Sequence, residues 1–92
     1  MPAAAVWTGT IEIRAPSHER AEWLFRALGP EAEREVPRSR ATLLRPQPDL
    51  VRIEIGARDT GALRAALNTY LRWIDLAEAT LAAAAPRTEA IR

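Results

Sequence analysis

Side chains that could act as nucleophiles, general bases or metal ligands are few and scattered in this sequence. The one histidine, His18, lies beside Ser17 and Glu19 at the expected start of a helix, where a solvated imidazole is the simpler interpretation. One histidine cannot supply a His-rich metal site, and no carboxylates have metal-ligand spacing. The hydroxyl residues lack a second histidine or a lysine that could activate them. The sequence therefore predicts no catalytic, metal-binding or cofactor-binding residue, and an enzyme is the least favoured class.

The acidic residues that remain have structural explanations. Asp59 or Thr60 should cap the long helical pattern that follows, and a cap is the best interpretation of the Asp59 carboxylate. Glu12 and Glu54 fall on the solvent side of two predicted strands, beside Arg14 and Arg52. Cross-strand ion pairs account for these carboxylates without acid–base chemistry.

Length and composition predict one small intracellular domain. The chain has 92 residues and no cysteine, which excludes disulfides and thiolate metal sites. No apolar run approaches the ~20 residues that a membrane span needs. We therefore expect a single domain over residues 1–85, a flexible tail over 86–92, a cytoplasmic location and no membrane partner.

Arginine supplies all thirteen basic residues, and seven of them lie between Arg38 and Arg72 against three acidic residues. The guanidinium fork suits phosphates and interface carboxylates. Four residues in this region are candidate tRNA or dimer contacts: Arg38, Ser39, Arg40 and Arg52. A solvated surface explains them equally well. A stand-alone small RNA-binding domain is thus an alternative, although the chain has neither a G-x-x-G loop nor an aromatic-rich strand.

Hydrophobic periodicity predicts five elements. Alternation indicates strands over residues 7–14 and 50–57, with a shorter strand over about 40–44 between them. Ser17 is the predicted N-cap of a first helix with a stripe at Ala21, Leu24, Phe25 and Leu28, which Gly29 and Pro30 should end. Residues 31–39 are expected to be a charged loop and 45–49 a turn. A second helix should run from Thr60 to about Ala85, before Pro86.

This order predicts an α+β fold of the type strand-helix-strand-strand-helix. The last strand should be central in a three-stranded antiparallel sheet, with both helices on one face. The two open sheet edges invite pairing with another chain.

The second helix has more apolar surface than one sheet can cover. Leu63, Leu67, Tyr70, Ile74, Ala77 and Leu81 form the centre of a stripe that Ala66, Leu71 and Trp73 widen to about half of the circumference. At 1.5 Å per residue the helix would be ~39 Å long, more than a domain of this size can cover. An assembly subunit is therefore favoured over a free-standing catalyst.

Trp23 is out of phase with the apolar stripe of the first helix. Either the loop after that helix folds over the indole, or the indole anchors a partner. On the second helix, Ala65, Thr69 and Leu76 form a flank of mostly small residues beside the stripe, which another helix could approach.

Two segments resemble a known family. The run from Asp59 to Ile74, DTGALRAALNTYLRWI, and the piece Val36-Pro37-Arg38-Ser39-Arg40 resemble the small dimerisation subunit of KEOPS, the archaeal and eukaryotic tRNA threonylcarbamoyladenosine complex. The opening strand with Pro16 and Ser17 is also similar, so the likeness covers about residues 10–78. The older family label is "transcription factor". Nothing in this sequence supports that label directly, because it has no helix-turn-helix and no zinc motif.

The resemblance implies a non-catalytic role. It implies a homodimer, which we expect to extend the sheet to six strands, and helices that pack against the threonylcarbamoyl transferase subunit, so that the assembly supports tRNA modification. The residues expected at the partner-helix interface are Trp23, Leu63, Leu67, Tyr70, Arg72, Trp73 and Leu76.

Overall fold

Three strands and two helices follow one another in the order that the sequence predicts. The computed structural model describes residues 7–33 and 38–84. Its elements are β1 (Trp7–Arg14), α1 (His18–Ala32), β2 (Ser39–Gln47), β3 (Leu50–Ala57) and α2 (Thr60–Ala84). The expected tail, residues 86–92, and the helix end at residue 85 lie outside the described residues.

Strand β3 is central, as its regular alternation predicts. The sheet has the order β1-β3-β2 and both pairings are antiparallel. Val51, Ile53, Ile55 and Ala57 are 0–2% exposed and face the helices. The strand that both neighbours cover therefore has the most completely buried side chains.

Both helices pack on this one face of the sheet and against each other. The core joins Leu24 and Leu28 of α1, Ile53 and Ile55 of β3, and Tyr70 of α2. Burial of each such side chain contributes about 1.5–3 kcal/mol. The predicted fold class is confirmed.

Side chains cap both helices at their first turns. The backbone N–H of Arg20 donates to Ser17 Oγ at 3.1 Å, and the backbone N–H of Ala62 donates to Asp59 Oδ1 at 2.7 Å. Ser17 has the extended backbone of an N-cap residue, with φ −153° and ψ 164°. The cap predicted at Ser17 is confirmed, and Asp59 rather than Thr60 caps α2.

Helix α1 does not end at Gly29 and Pro30, so that prediction was wrong. It continues to Ala32, and Pro30 lies inside it. Gly29 does not adopt a left-handed conformation, and nothing forces the chain out of the helix there. Pro30 has a helix-compatible φ and removes only the hydrogen bond to the carbonyl of residue 26. The expected loop therefore loses Glu31 and Ala32 to the helix.

Strand β2 is longer than predicted, and the turn after it is shorter. Pro46 lies within the strand instead of in the turn. The register shifts between Leu44 and Gln47, which is where an irregular edge strand accommodates a proline. The turn is reduced to Pro48 and Asp49. Its carboxylate forms an ion pair with Arg14 at 3.0 Å.

The buried stripe of α2 is centred differently from the prediction. Ala66, Tyr70 and Ile74 are 0%, 2% and 7% exposed, whereas Leu63 and Leu67 are only half-buried. The sequence placed Ala66 at the edge of the stripe. Because α2 packs against α1 as well as the sheet, its most buried side includes this small residue.

Candidate functional site

Two large apolar side chains of α2 are exposed to solvent. Leu71 and Leu76 are 48% and 64% exposed. Trp73 is half-buried and packs edge-on against Tyr70, with ring centroids 5.2 Å apart and an interplanar angle of 88°. Tyr70 is thus a core residue, and Trp73 lies at the boundary between the core and the surface.

The C-terminal part of α2 has little of its own fold to pack against. The helix has 25 residues and β3 has 8, so their lengths are ~37 Å and ~27 Å. Leu76, Ala82 and Ala83 are exposed, while Ala77 and Leu81 are half-buried. We call residues 75–84 the distal segment of α2. This part of the helix offers an apolar surface that the sheet does not cover.

Trp23 lies on the outer side of α1 and is 54% exposed. It lines an open depression of about 480 Å³ together with Glu19, Glu22, Arg26 and Ala27. The loop that was expected to cover the indole includes residues 34–37, which lie outside the described residues.

Arg45 of β2 contacts the side of α1 that lies next to Trp23. Its guanidinium forms an ion pair with Glu22 and donates to the carbonyl oxygens of His18 at 3.2 Å and Pro48 at 2.9 Å. Arg26 donates to the same Glu22 carboxylate at 2.8 Å. The hydrogen bond from Arg45, assisted by Arg26, lowers the pKa of Glu22. Periodicity could not reveal this contact, because it joins residues far apart in the chain.

The candidate basic residues do not form one cluster. Arg38 has a left-handed backbone, φ 66°, and its side chain forms an ion pair with Asp59. The pKa of Asp59 is lowered, first by the hydrogen bond from the Ala62 N–H and then by Arg38. Arg38 thus contacts the cap of α2, and its charge is balanced there.

Arg52 and Arg40 lie on the open face of the sheet. Arg52 donates to Glu12 on β1 at 2.7 Å, as the cross-strand interpretation predicts, and lies 3.9 Å from Glu54 on its own strand. Arg40 is exposed and forms no ion pair within the described part of the chain. Ser39, beside it, is half-buried at the start of β2. Of the three arginines, Arg40 alone combines an exposed side chain with the absence of an ion pair among the described residues.

His18 is exposed in the first turn of α1. Within residues 7–33 and 38–84, no group of His, Cys, Asp or Glu has an arrangement that could hold a metal ion. Over the same residues, no helix is long and apolar enough to cross a bilayer.

A comparison with protein-family models identifies the family. The model described as "Transcription factor Pcc1" matches residues 8–82. The chain belongs to the Pcc1 family. Pcc1 is the small subunit of KEOPS, so the resemblance found in the sequence is confirmed, and with it an association with tRNA modification. A comparison with curated proteins finds no matching sequence.

The Pcc1 match covers every described element of the fold. It starts one residue after the first residue of β1 and ends two residues before the last residue of α2. It therefore includes the exposed side chains Trp23, Leu71 and Leu76 and part of the distal segment. It also includes residues 34–37, which the structure does not describe.

The predicted interface residues of this chain differ in what they can offer a partner. Tyr70 is buried, and Leu63, Leu67 and Trp73 are half-buried. Trp23, Leu76 and Arg72 are exposed. Leu71, which the sequence assigned to the apolar stripe, joins this exposed set. Its position at the outer margin of the stripe was the available signal.

Proposed function

We propose that this chain is a non-catalytic assembly subunit of KEOPS that forms a homodimer and binds the threonylcarbamoyl transferase subunit through its helices. Membership of the Pcc1 family supports the setting, a tRNA-modification complex. The single observation that supports the binding role is the exposed apolar surface of the distal segment of α2. This role fits a protein of the cytoplasm.

Leu76 is the centre of the proposed partner surface. It is 64% exposed, because two residues after buried Ile74 is the opposite side of an α-helix. Complete burial of a leucine is worth about 1.5–3 kcal/mol, and most of that gain is still available to a partner. Half-buried Trp73 adds an aromatic anchor on the same flank. A helix of the transferase packed along this flank would cover both residues.

Trp23 provides a second proposed contact, on the other helix. Exposed tryptophans are favoured as anchors in protein interfaces. The depression around Trp23 is lined by Glu19, Glu22 and Arg26. An amphipathic helix with polar residues of both charges at its margin would suit it. Contacts on both helices fit a shared helical bundle better than contact with a single extended peptide.

Support of tRNA modification is assigned to the assembly more than to a direct contact of this chain. Arg38 and Arg52 already have carboxylate partners, and phosphate would have to displace these. Of the candidate contacts named from the sequence, Arg40 is the best suited to a phosphate contact. The stand-alone RNA-binding alternative therefore has weaker support. It predicts affinity of the isolated chain for tRNA that falls steeply with salt.

Titration calorimetry with the purified transferase subunit tests the partner role. Leu76→Arg places a charge in the proposed interface and should weaken binding at least about thirtyfold, the effect of removing a hot spot. Asp75→Arg, at the neighbouring position on the polar side of α2, is the matched control and should change affinity less than about threefold, as surface charges outside an interface do. If both Leu76→Arg and Trp23→Ala bound the transferase subunit with unchanged affinity, the proposed interface would be contradicted.

A further inference from the structure

The outward side of α1 carries a carboxylate and an indole one helical turn apart. Glu19 and Trp23 are separated by four residues, and both are exposed. Side chains at i and i+4 are neighbours on a helix surface, with Cβ atoms about 5–6 Å apart. Both residues line the same open depression of about 480 Å³. One group of a partner can therefore contact the carboxylate and the indole together.

The charges around Trp23 balance one another except at Glu19. The Glu22 carboxylate accepts a hydrogen bond from Arg26 at 2.8 Å and forms an ion pair with Arg45. The charge of Arg26 is therefore already compensated, and so is that of Glu22. Glu19, in contrast, forms no ion pair with any residue in the described part of the chain. The depression thus has one uncompensated negative charge, next to an exposed aromatic ring.

Charge complementarity favours a cation as the group that binds here. An apolar side chain packed on Trp23 would remove the neighbouring Glu19 carboxylate from water without giving it a partner, which costs free energy. A cation is attracted to the face of a tryptophan ring when it lies within about 6 Å of the ring centroid. The i, i+4 spacing lets the same cation also form an ion pair with Glu19.

Arginine meets both requirements better than lysine. Its guanidinium is planar, so it can stack on the indole face of Trp23. It also donates through a fork that matches the two oxygens of a carboxylate, here that of Glu19. Ala27, one turn beyond Trp23, lines the same depression with a small side chain, which leaves room for a long side chain to approach the ring.

We propose that Glu19 and Trp23 form a receptor for an arginine side chain of the transferase subunit. The inference rests on the partner role of the proposed function and names the chemistry of one of its contacts. Trp23 supplies the π face, and Glu19 supplies the counter-charge. We call these two residues the arginine receptor.

The arginine receptor and the distal segment of α2 make different demands on a partner. Leu76 of the distal segment is 64% exposed and takes an apolar side chain. The arginine receptor takes a cation instead. Charged contacts fix the register of an interface more than they add affinity. A partner must therefore place a basic side chain against α1 and an apolar surface against α2, which selects one orientation of docking.

Titration calorimetry with the purified transferase subunit tests the role of the charge. Glu19→Gln keeps the shape of the side chain, removes its charge and should weaken binding about threefold to tenfold. Glu33→Gln, just beyond the end of α1, removes the same charge outside the depression and is the matched control. It should change affinity less than about twofold, with circular dichroism reporting that both variants fold. An unchanged affinity of Glu19→Gln, or equal losses in the two variants, would overturn the arginine receptor.

Two substitutions of Trp23 distinguish a cation from an apolar ligand in the same titration. Trp23→Phe keeps an aromatic face and should weaken binding about threefold, whereas Trp23→Leu keeps only apolar bulk and should weaken it about tenfold. Equal affinities of these two variants would show an apolar anchor and overturn the arginine receptor, while the partner role would stand. The partner role itself is measured separately with Leu76→Arg, whose failure to weaken binding concerns the distal segment and not the arginine receptor.

Discussion

The two parts of helix α2 differ in what their own protomer does with them. In residues 60–74, Ala66, Tyr70 and Ile74 are buried by the sheet and by α1. In the distal segment, residues 75–84, Leu76 is 64% exposed and no described residue beyond Ile74 is buried. The first part stabilises the fold, and the second costs conformational entropy without a matching gain from burial.

This difference shows how one helix can serve both a core and an interface. A helix of this length would be marginal as an isolated peptide, but its first part is held by tertiary packing. The distal segment continues from an already ordered turn and needs no new nucleation. The fold thereby presents an apolar surface in a defined orientation. Binding of a partner therefore requires less ordering of α2, which lowers the entropic cost of association.

The largest expected contrast is between a core and a distal substitution on α2. Tyr70→Ala should lower the free energy of unfolding by about 3–5 kcal/mol, because it removes a buried aromatic ring and leaves a cavity. Leu76→Ala should change it by less than about 0.5 kcal/mol, as surface substitutions do. Urea unfolding followed by circular dichroism measures both. Equal losses would mean that the distal segment is part of the core.

The next contrast in stability is between substitutions of two glycines, one packed against α2 and one in open space on α1. Gly9→Val should destabilise by about 1–3 kcal/mol through overpacking, because a Cβ there would already lie 3.3 Å from Leu63 Cδ1. Gly29→Ala, where nothing lies within 4 Å of the added Cβ, should stabilise the helical α1 by up to about 1 kcal/mol. Thermal unfolding compares the two. A stabilised Gly9→Val would show that α2 does not press on β1.

The cap of α1 is expected to matter less than either of these. Ser17→Ala should cost about 1 kcal/mol, because the Arg20 N–H loses its acceptor. Ser17→Asp keeps an acceptor and is the matched control, expected near the wild-type value. Chemical unfolding distinguishes them. If both variants lost the same stability, the side chain would not be acting as a cap.

Acid should weaken the start of α2 through Asp59. Its folded pKa lies below its ordinary value of 3.8, and a depressed carboxyl pKa gives stability that is present above the unfolded pKa and lost as the pH falls through the folded pKa. Glu22 acts in the same direction. The unfolding midpoint of the wild type should therefore decline below about pH 4, and Asp59→Asn should flatten part of that decline. An unchanged pH profile in the variant would contradict the role given to Asp59.

The sequence was most informative where local pattern and tertiary packing agree. The alternation of β3 predicted a central buried strand, and the residues at Ser17 and Asp59 predicted helix starts. Pro30 and Pro46 led to wrong ends for α1 and β2. A helix can lose one hydrogen bond near its end, and an edge strand does not need an outward N–H at every residue. The exposure of Leu71 and the anchoring of Arg45 depend on how α2 and β2 pack, which periodicity does not determine.

Hydrogen–deuterium exchange along α2 tests the central claim most directly. In the free protein, amides of residues 75–84 should exchange faster than those of residues 60–74, because local opening costs less where little is buried. Addition of the transferase subunit should slow exchange in residues 75–84. Equal protection of both parts in the free protein, or unchanged exchange in the distal segment once the complex has formed, would contradict the proposal that a partner covers this surface.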